Sequence, residues 1–250
     1  MSRFELIGVG SNAKTIKGDG SEYLTGILYM QPYKIDVDGK TFNSCAMAEL
    51  AQCHEPCLHT AGRAGIIRKG ETTNSILSAR QRKAEWFYRD RPAFMLSLVR
   101  DIAKHARYCA KRDIQAVIRL NGTTDIKWEV IKVERDGDTF ANIFEAFPEV
   151  QFYDYTKMSN RKVDHIPNYH LTWSYSGASE RYRQGLARAV NSGMSVAVVF
   201  RKEIPATWQG LQTIDGDADD MRFLDPAQSV VALKAKGKAK RDKSGFVVDV

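Results

Sequence analysis

The chain has 250 residues, of which 43% are hydrophobic and 27% are charged. This length fits one large domain, and the charged fraction excludes an integral membrane protein. The longest apolar runs, such as residues 195–200, have the length of a strand and fall short of the roughly 20 residues that cross a bilayer. We see no signal peptide pattern and expect a cytoplasmic protein.

The chain carries 37 Lys and Arg residues against 30 Asp and Glu residues, a formal net charge of +7. Cations that neutralise phosphates release condensed counterions, so this excess favours a nucleic-acid partner, with DNA the more probable class. The alternative is that the basic residues form solvated helix faces and a charged tail at the end of the chain. The composition indicates no membrane partner.

Residues 1–70 are rich in loops, with one strand predicted at 23–30 and a hairpin turn at Asp38 and Gly39. We expect this segment, which also contains a cysteine cluster, to pack on a catalytic α/β domain formed by residues 71–250. Together the two parts form a single domain.

Two helices are predicted next. Thr72, Thr73 or Asn74 would cap the first, which runs to about residue 89. Pro92 suits the first turn of the second helix. Its apolar side chains recur at three- and four-residue spacing, at Phe94, Leu98, Ile102 and Ala106.

From residue 116 onward, apolar strands alternate with polar loops. The predicted strands are 116–120, 150–154, 169–173, 195–200, 212–214 and 229–233. Spacings of about 20 to 40 residues, some filled by helices, indicate βαβ units and a mostly parallel sheet. A complete or partial (β/α) barrel is favoured over an open doubly wound sheet. In both architectures the site lies beyond the carboxyl ends of the strands.

The clearest candidate for a metal site is a group of three cysteines. Cys45, Cys53 and Cys57 are separated by seven and then three residues. Soft thiolates at such spacing bind zinc or an iron–sulfur cluster, and the choice stays open. Three ligands would leave one iron of a four-iron cluster open, whereas His54 or His59 would complete a zinc site. The alternative is that these are small buried residues in a tight loop.

Polar residues at the predicted strand ends are the candidates for catalysis and substrate binding. Asn121, Asp125, Asp154, Asp215 and Asp217 are expected to line a pocket in which one carboxylate acts as acid, base or nucleophile. Grouped carboxylates also suit Mg²⁺. The alternatives are Asx turns and an exposed acidic turn.

The candidates for substrate contact are cations and one serine. Arg63, Lys157 and Lys234 are expected to contact phosphate. Ser174 is expected to bind substrate, but no G-x-S-x-G elbow surrounds it, which argues against a hydrolase triad.

Several stretches resemble a family of bacteriophage-encoded proteins of unassigned function, of the mycobacteriophage gene-product type. These stretches are residues 12–14, 23–29, 57–63, 119–125, 214–217, 222–226 and 233–237. The resemblance covers nearly the whole chain and implies a phage or prophage origin. Phages encode many enzymes that modify their own nucleic acid, so the resemblance favours such an activity by association.

The leading hypothesis is a metal-dependent enzyme that modifies or exchanges bases in nucleic acid, a transferase or lyase that also accepts a small-molecule co-substrate. One alternative is a non-catalytic phage protein that binds nucleic acid or redirects the host and holds a structural zinc. Another is an enzyme with an iron–sulfur cluster that acts on a nucleotide or an amino acid. A deep pocket too narrow for a strand would favour the last of these.

Overall fold

The computed structural model describes residues 5–10, 13–20 and 22–250. Asn12, which belongs to one of the stretches that carry the family resemblance, lies outside the described residues. No helix in the described ranges is long and apolar enough to cross a membrane.

Thirteen strands are found among the described residues. They are β1 (Ile7–Val9), β2 (Tyr23–Leu28), β3 (Lys34–Val37), β4 (Lys40–Asn43), β5 (Gln115–Arg119), β6 (Val133–Arg135), β7 (Asp138–Phe140), β8 (Gln151–Thr156), β9 (Tyr169–Ser174), β10 (Ser195–Phe200), β11 (Thr207–Trp208), β12 (Leu211–Asp215) and β13 (Val230–Lys234). The α-helices are α1 (Ala13–Asp19), α2 (Ser75–Arg89), α3 (Arg91–Ala110), α4 (Ile143–Ala146), α5 (Glu180–Arg183) and α6 (Gly185–Asn191).

Nine strands form one sheet in the order β1-β2-β5-β8-β9-β10-β13-β12-β11. The seven strands from β2 to β12 in this order are parallel to their neighbours, and β1 and β11 are antiparallel at the edges. Apolar runs such as that of β10, whose residues are buried except for Val199, suit strands covered on both faces. The predicted α/β class with a mostly parallel sheet is confirmed.

Over most of the sheet, the strands follow one another in the order found in a (β/α) barrel. From β2 through β5, β8 and β9 to β10, each strand lies beside the one before it, without the reversal of a doubly wound sheet. β13 then lies between β10 and β12. The hydrogen-bonded pairings of the described strands do not close into a ring, because β1 and β11 are edge strands. The order of the strands resembles that of a barrel, but the sheet is not a closed barrel.

A short segment after β12 shows that the sheet is strongly curled. Asp217 accepts a hydrogen bond from the Lys234 backbone in β13, and the Phe223 ring lies 5.5 Å from the ring of Tyr23 in β2. In a flat sheet, five strand spacings would separate β13 from β2 by about 24 Å. The seven residues from 217 to 223 include the start of a 3₁₀ turn, and even fully extended their six residue steps would span only about 20 Å.

Asp220 is the main polar contact of this segment with the sheet. Its carboxylate accepts hydrogen bonds from Arg119 in β5 at 2.9 Å, from the Tyr153 hydroxyl in β8 at 2.9 Å and from the Tyr155 hydroxyl at 3.2 Å. The Asp220 side chain is 3% exposed and that of Arg119 is 13% exposed. The segment therefore joins distant strands through a buried ion pair.

The helical pair α2 and α3 covers the strands near β5. Asn74 caps α2 by accepting from the backbone N–H groups of Ile76 and Leu77, as predicted. Asp90 caps α3, which begins with Pro92 in its first turn. The predicted apolar face of α3 is confirmed, because Phe94, Leu98 and Ile102 are buried and Ala106 is half-buried against the core.

The first seventy residues contain more regular structure than their loop-rich composition indicates. β2 pairs with β5 in the main sheet, and β3 and β4 form a separate hairpin. The predicted turn of that hairpin is confirmed, with positive φ angles of 51° at Asp38 and 78° at Gly39. Beyond the hairpin, the chain carries the cysteines to the carboxyl ends of the parallel strands.

The ion pair of Asp220 predicts a large stability effect. Asp220→Asn leaves the buried Arg119 guanidinium without a counterion, so we expect the free energy of unfolding to fall by about 3–5 kcal/mol in urea titrations. Asp215→Asn is the control, because Asp215 is exposed and Asn retains the turn in which its side chain accepts from Asp217 N. The control is expected to change stability by less than about 0.5 kcal/mol. Equal effects of the two variants would contradict this account of the curled sheet.

Candidate functional site

A cavity of about 290 Å³ lies at the carboxyl ends of the parallel strands. Residues from the loops after β5, β8, β12 and β13 and the last residue of β9 line it, together with the cysteine segment. This is the position that a barrel-like succession of parallel strands predicts for a ligand site. Of the twelve residues predicted for the site, nine line the cavity: Cys45, Cys53, Cys57, Asn121, Asp125, Lys157, Ser174, Asp217 and Lys234.

The three cysteines form one wall of the cavity, here called the thiol wall. A series of tight turns brings Cys53 back toward Cys45, with the Cys53 N–H donating to Ala48 O and Gln52 in a left-handed conformation at φ 52°. The Cys57 sulfur accepts from the His59 N–H at 3.4 Å and caps a 3₁₀ turn. The local turns therefore bring three thiols, with seven and three residues between them in the sequence, to the wall of one cavity.

Burial controls the ionisation of the thiol wall. It raises the pKa of Cys45 to about 12 and raises the pKa values of Cys53 and Cys57 above the ordinary 9.0. All three are thus protonated at neutral pH in the metal-free protein. Metal binding would release these protons, because the thiolate is the ligand form.

Neither histidine of the cysteine segment lines the cavity. The His54 ring stacks on Tyr33 at 5.2 Å, and its Nδ1 is 3.4 Å from Ala48 O. His59 Nδ1 is 3.4 Å from the Arg80 guanidinium, which also donates to His59 O. Within the described residues, no three His, Cys, Asp or Glu side chains converge on a ready single-ion site. The cavity wall itself offers three thiols and no imidazole.

Asp125 and Lys157 lie beside the thiol wall. The Asp125 carboxylate accepts from the Lys157 N–H at 2.7 Å, and it lies 3.5 Å from the Arg161 guanidinium. Burial raises the pKa of Asp125, although Arg161 and the Lys157 N–H oppose the shift. Burial lowers the pKa of Lys157 to about 8. The site thus contains a carboxyl and an amine whose pKa values both move toward neutrality, as acid–base chemistry requires.

The Lys157 amine has a fixed position. It donates to Ser174 O at 3.0 Å and to Tyr175 O at 3.1 Å, and it lies 4.5 Å from the centre of the Phe246 ring. Two carbonyl acceptors and an aromatic face hold the ammonium form in a half-buried position. Ser174 contacts the Lys157 amine through its backbone carbonyl and not through its hydroxyl.

Asn121 organises the loop after β5. Its Oδ1 accepts from Thr124 Oγ1, Ile126 N and Trp128 Nε1 at 2.9, 2.9 and 3.1 Å. Its own N–H and side-chain amide donate to Asp154. The Asx turn that sequence reasoning considered as an alternative is therefore present, and Asn121 also lines the cavity.

Asp154 lies behind Asn121 and does not line the cavity. It is 1% exposed, and burial raises its pKa to about 7, although the Asn121 N–H and the cations Arg119 and Arg161 oppose the shift. In this position its contacts orient Asn121 rather than a substrate. Asp154 therefore contributes to the shape of the loop after β5 and not to the cavity lining.

The wall that contains Lys14, Arg119, Asp217, Asp220, Lys234 and Lys236 is here called the ionic wall. Asp217 is its centre, with Lys236 Nζ at 2.7 Å and Lys14 Nζ at 3.4 Å. Sequence reasoning missed Lys14, Arg119 and Lys236. A basic residue at the end of an apolar strand, as Arg119 is, was the available signal.

Two predicted residues lie elsewhere. Asp215 is exposed at the end of β12, where its side chain accepts from Asp217 N at 2.8 Å. Arg63 is exposed in a 3₁₀ turn and does not line the cavity. The carboxylates of 215–220 therefore divide between an exposed turn and the ionic wall.

The family model described as Gene product 88 matches residues 5–250, in agreement with the resemblance read from the sequence. No curated protein and no solved structure is detectably similar to the chain.

The Lys157 amine predicts a pH effect. Its pKa falls from 10.5 to about 8 on folding, so between these values the unfolded chain binds a proton that the folded protein does not. Its contribution to stability therefore rises as the pH increases through this range, by up to about 3 kcal/mol.

Lys157→Met is expected to remove this rise in urea titrations at about pH 7 and about pH 10. Lys162→Met, at an exposed lysine, is expected to retain the wild-type difference. A Lys157→Met profile that matches the wild type would show that the amine is not buried in this way.

Proposed function

Because the chain belongs to the Gene product 88 family of phage proteins, we propose that it is a metal-dependent enzyme that modifies bases of nucleic acid in the host cytoplasm. The observation that carries the proposal is the shared cavity. Cys45, Cys53 and Cys57 line the same space as Asp125 and Lys157, at the carboxyl ends of parallel strands. Soft metal ligands and an acid–base pair in one cavity are the components of a catalytic site.

We assign an iron–sulfur cluster to the thiol wall. His54 and His59, which would complete a closed zinc site, contact Tyr33 and Arg80 and do not line the cavity. Three thiolates hold a four-iron cluster with one iron open to a substrate, and such a centre supplies radical or sulfur-transfer chemistry. A cluster ligated by three thiolates is anionic. Lys157, whose charge interacts with those of Cys53 and Cys57, supports this assignment.

The carboxylates of the ionic wall fit Mg²⁺ less well than the thiols fit a soft metal. Asp217 is occupied by Lys14 and Lys236, and Asp220 by Arg119 and two tyrosine hydroxyls. We therefore propose that this wall contacts an anionic part of the substrate. Arg119 and Lys234 provide donors for phosphate or carboxylate oxygens.

The dimensions of the cavity limit what reacts in it. A volume of about 290 Å³ admits one nucleotide or a molecule of similar size and excludes a duplex. A base within nucleic acid would have to leave its stack to enter, as in other enzymes that react with bases. In this proposal Asp125 and Lys157 exchange protons with the base, and Asp154 acts indirectly by orienting Asn121.

The same volume favours a second candidate function. An enzyme that binds an iron–sulfur cluster and acts on a free nucleotide or amino acid would also fit a cavity of this size, with the ionic wall binding the charged group. The two candidates differ in whether the substrate is polymeric. A non-catalytic protein with a structural zinc receives less support, because Asp125 and Lys157 would have no role in it.

The metal assignment is tested by analysis of protein purified without air. We expect a brown protein with about four irons per chain and a matching sulfide content. Cys53→Ala is expected to lose the colour and most of the iron. Cys109→Ala is the matched control, because Cys109 is buried in α3 outside the cavity, and we expect it to retain both. About one zinc per chain would overturn the cluster but keep a thiolate metal site, and a metal-free protein would overturn both.

The substrate class is tested in cells. We would express the protein in a bacterial host, digest the nucleic acids to nucleosides and compare their masses. The proposal predicts a new nucleoside that depends on Cys53 and persists in the Cys109→Ala variant. A change confined to free nucleotides or amino acids would favour the second candidate instead.

A further inference from the structure

Two segments hold the excess positive charge of the protein. Residues 63–69 and 234–243, here called the basic rim, contain nine Lys and Arg side chains and one Asp, a net charge of +8. The whole chain has a net charge of +7, so the rest of the protein is nearly balanced. All nine cations are exposed. The charge that appears dispersed in the sequence is therefore concentrated in two short pieces of chain.

The second segment lines the cavity, and the chain that leads into the first segment approaches it there. Lys234, Lys236 and Ala239 from the second segment line it, and Leu58, five residues before Arg63, lines it from the other side. A Cβ atom placed on Gly237 would lie 3.8 Å from that of Ala61, two residues before Arg63. The second segment of the basic rim thus borders the candidate active site, and the first begins two residues after Ala61.

The second segment is held in place rather than extended into solvent. Ala235 and Ala239 are buried in a small core with Val247, which turns the intervening lysines outward. Arg201 donates to Lys240 O at 3.1 Å and to Asp242 O at 2.8 Å. The buried alanines and the Arg201 hydrogen bonds therefore hold the backbone of this segment in place, with its cations on the outer side. A fixed row of cations loses less conformational entropy when it binds a repeating anion.

Apolar side chains accompany the cations on the first segment. Ile66 is 69% exposed and Ile67 is 41% exposed, and Leu58 at the edge of the cavity is 58% exposed. Exposed apolar side chains next to cations suit a partner that presents both phosphates and bases. Proteins that unstack bases insert such apolar residues at base steps.

We infer that the basic rim binds the phosphate backbone of single-stranded or locally unpaired nucleic acid, with Leu58, Ile66 and Ile67 against the neighbouring bases, so that one nucleotide reaches the cavity. This inference rests on the proposed function in taking the cavity as the place where that nucleotide reacts. It goes further by naming the strand-binding surface. It also requires that binding depend on charge at this surface and not on the net charge of the protein.

The test compares two triple variants that remove the same charge. Lys238→Gln/Lys240→Gln/Lys243→Gln neutralises rim cations that do not line the cavity. Arg100→Gln/Arg107→Gln/Lys111→Gln neutralises exposed cations on and directly after α3, and none of these lines the cavity either. The binding of a labelled single-stranded oligonucleotide to the protein as purified would be measured by fluorescence anisotropy over a range of salt concentrations.

The rim variant is expected to bind more weakly and to lower the slope of log affinity against log salt by about 2, since each lost phosphate contact on a single strand removes about 0.7. The α3 variant is expected to keep the wild-type slope. Equal losses in both variants would overturn the inference. So would tighter rim-dependent binding to vesicles of anionic lipid than to the strand.

These outcomes are distinguishable from failure of the proposed function. Strand binding is measured without turnover, and Cys53→Ala is expected to retain it. If iron and the new nucleoside are found but the rim variant binds as the wild type does, only the strand surface is wrong. If the strand binds through the rim but no metal is found, the metal-dependent enzyme is wrong and the surface stands.

Discussion

The Asp220 carboxylate binds Arg119 from one strand and two tyrosine hydroxyls from the next, although it follows a strand at the far side of the sheet. A buried charge is favourable only when its partners are present and correctly placed. The curl of the sheet and these contacts therefore depend on each other. The curl in turn brings the carboxyl ends of the parallel strands around one cavity, which a flat arrangement of the same strands would not form.

The polar residues at the strand ends have two different tasks. Asn121 donates hydrogen bonds to Asp154 and accepts one from the backbone of the loop after β5, so the two residues fix the shape of that loop. Asp125 and Lys157, a few residues further along their loops, face the cavity with pKa values altered by burial. A loop fixed by Asn121 and Asp154 thus supports the cavity-facing Asp125 and Lys157. Such support suits an active site, because reacting groups must be held in position.

The cavity brings together the reactive side chains and a large share of the charged ones. The thiols, Asp125, Lys157 and the ionic wall line it, and the second segment of the basic rim continues from the ionic wall onto the exposed surface. Lys234 and Lys236 belong to both the ionic wall and the rim. In the proposed function, this continuity of cations from the surface to the cavity would attract an anionic substrate, since the summed charge of a surface steers ligands of opposite sign.

The sequence by itself determined the α/β class, a cap of the first long helix, the proline in the first turn of the second, the hairpin turn and the grouping of three cysteines, because these features follow from local periodicity and spacing. It also identified nine of the residues that line the cavity, since parallel strands place their following loops at one edge. Only the tertiary structure decided that Asp154 supports the loop behind Asn121, that Asp215 stays outside, and that Arg119 faces the cavity. These outcomes depend on contacts between residues far apart in the chain, which local patterns do not encode.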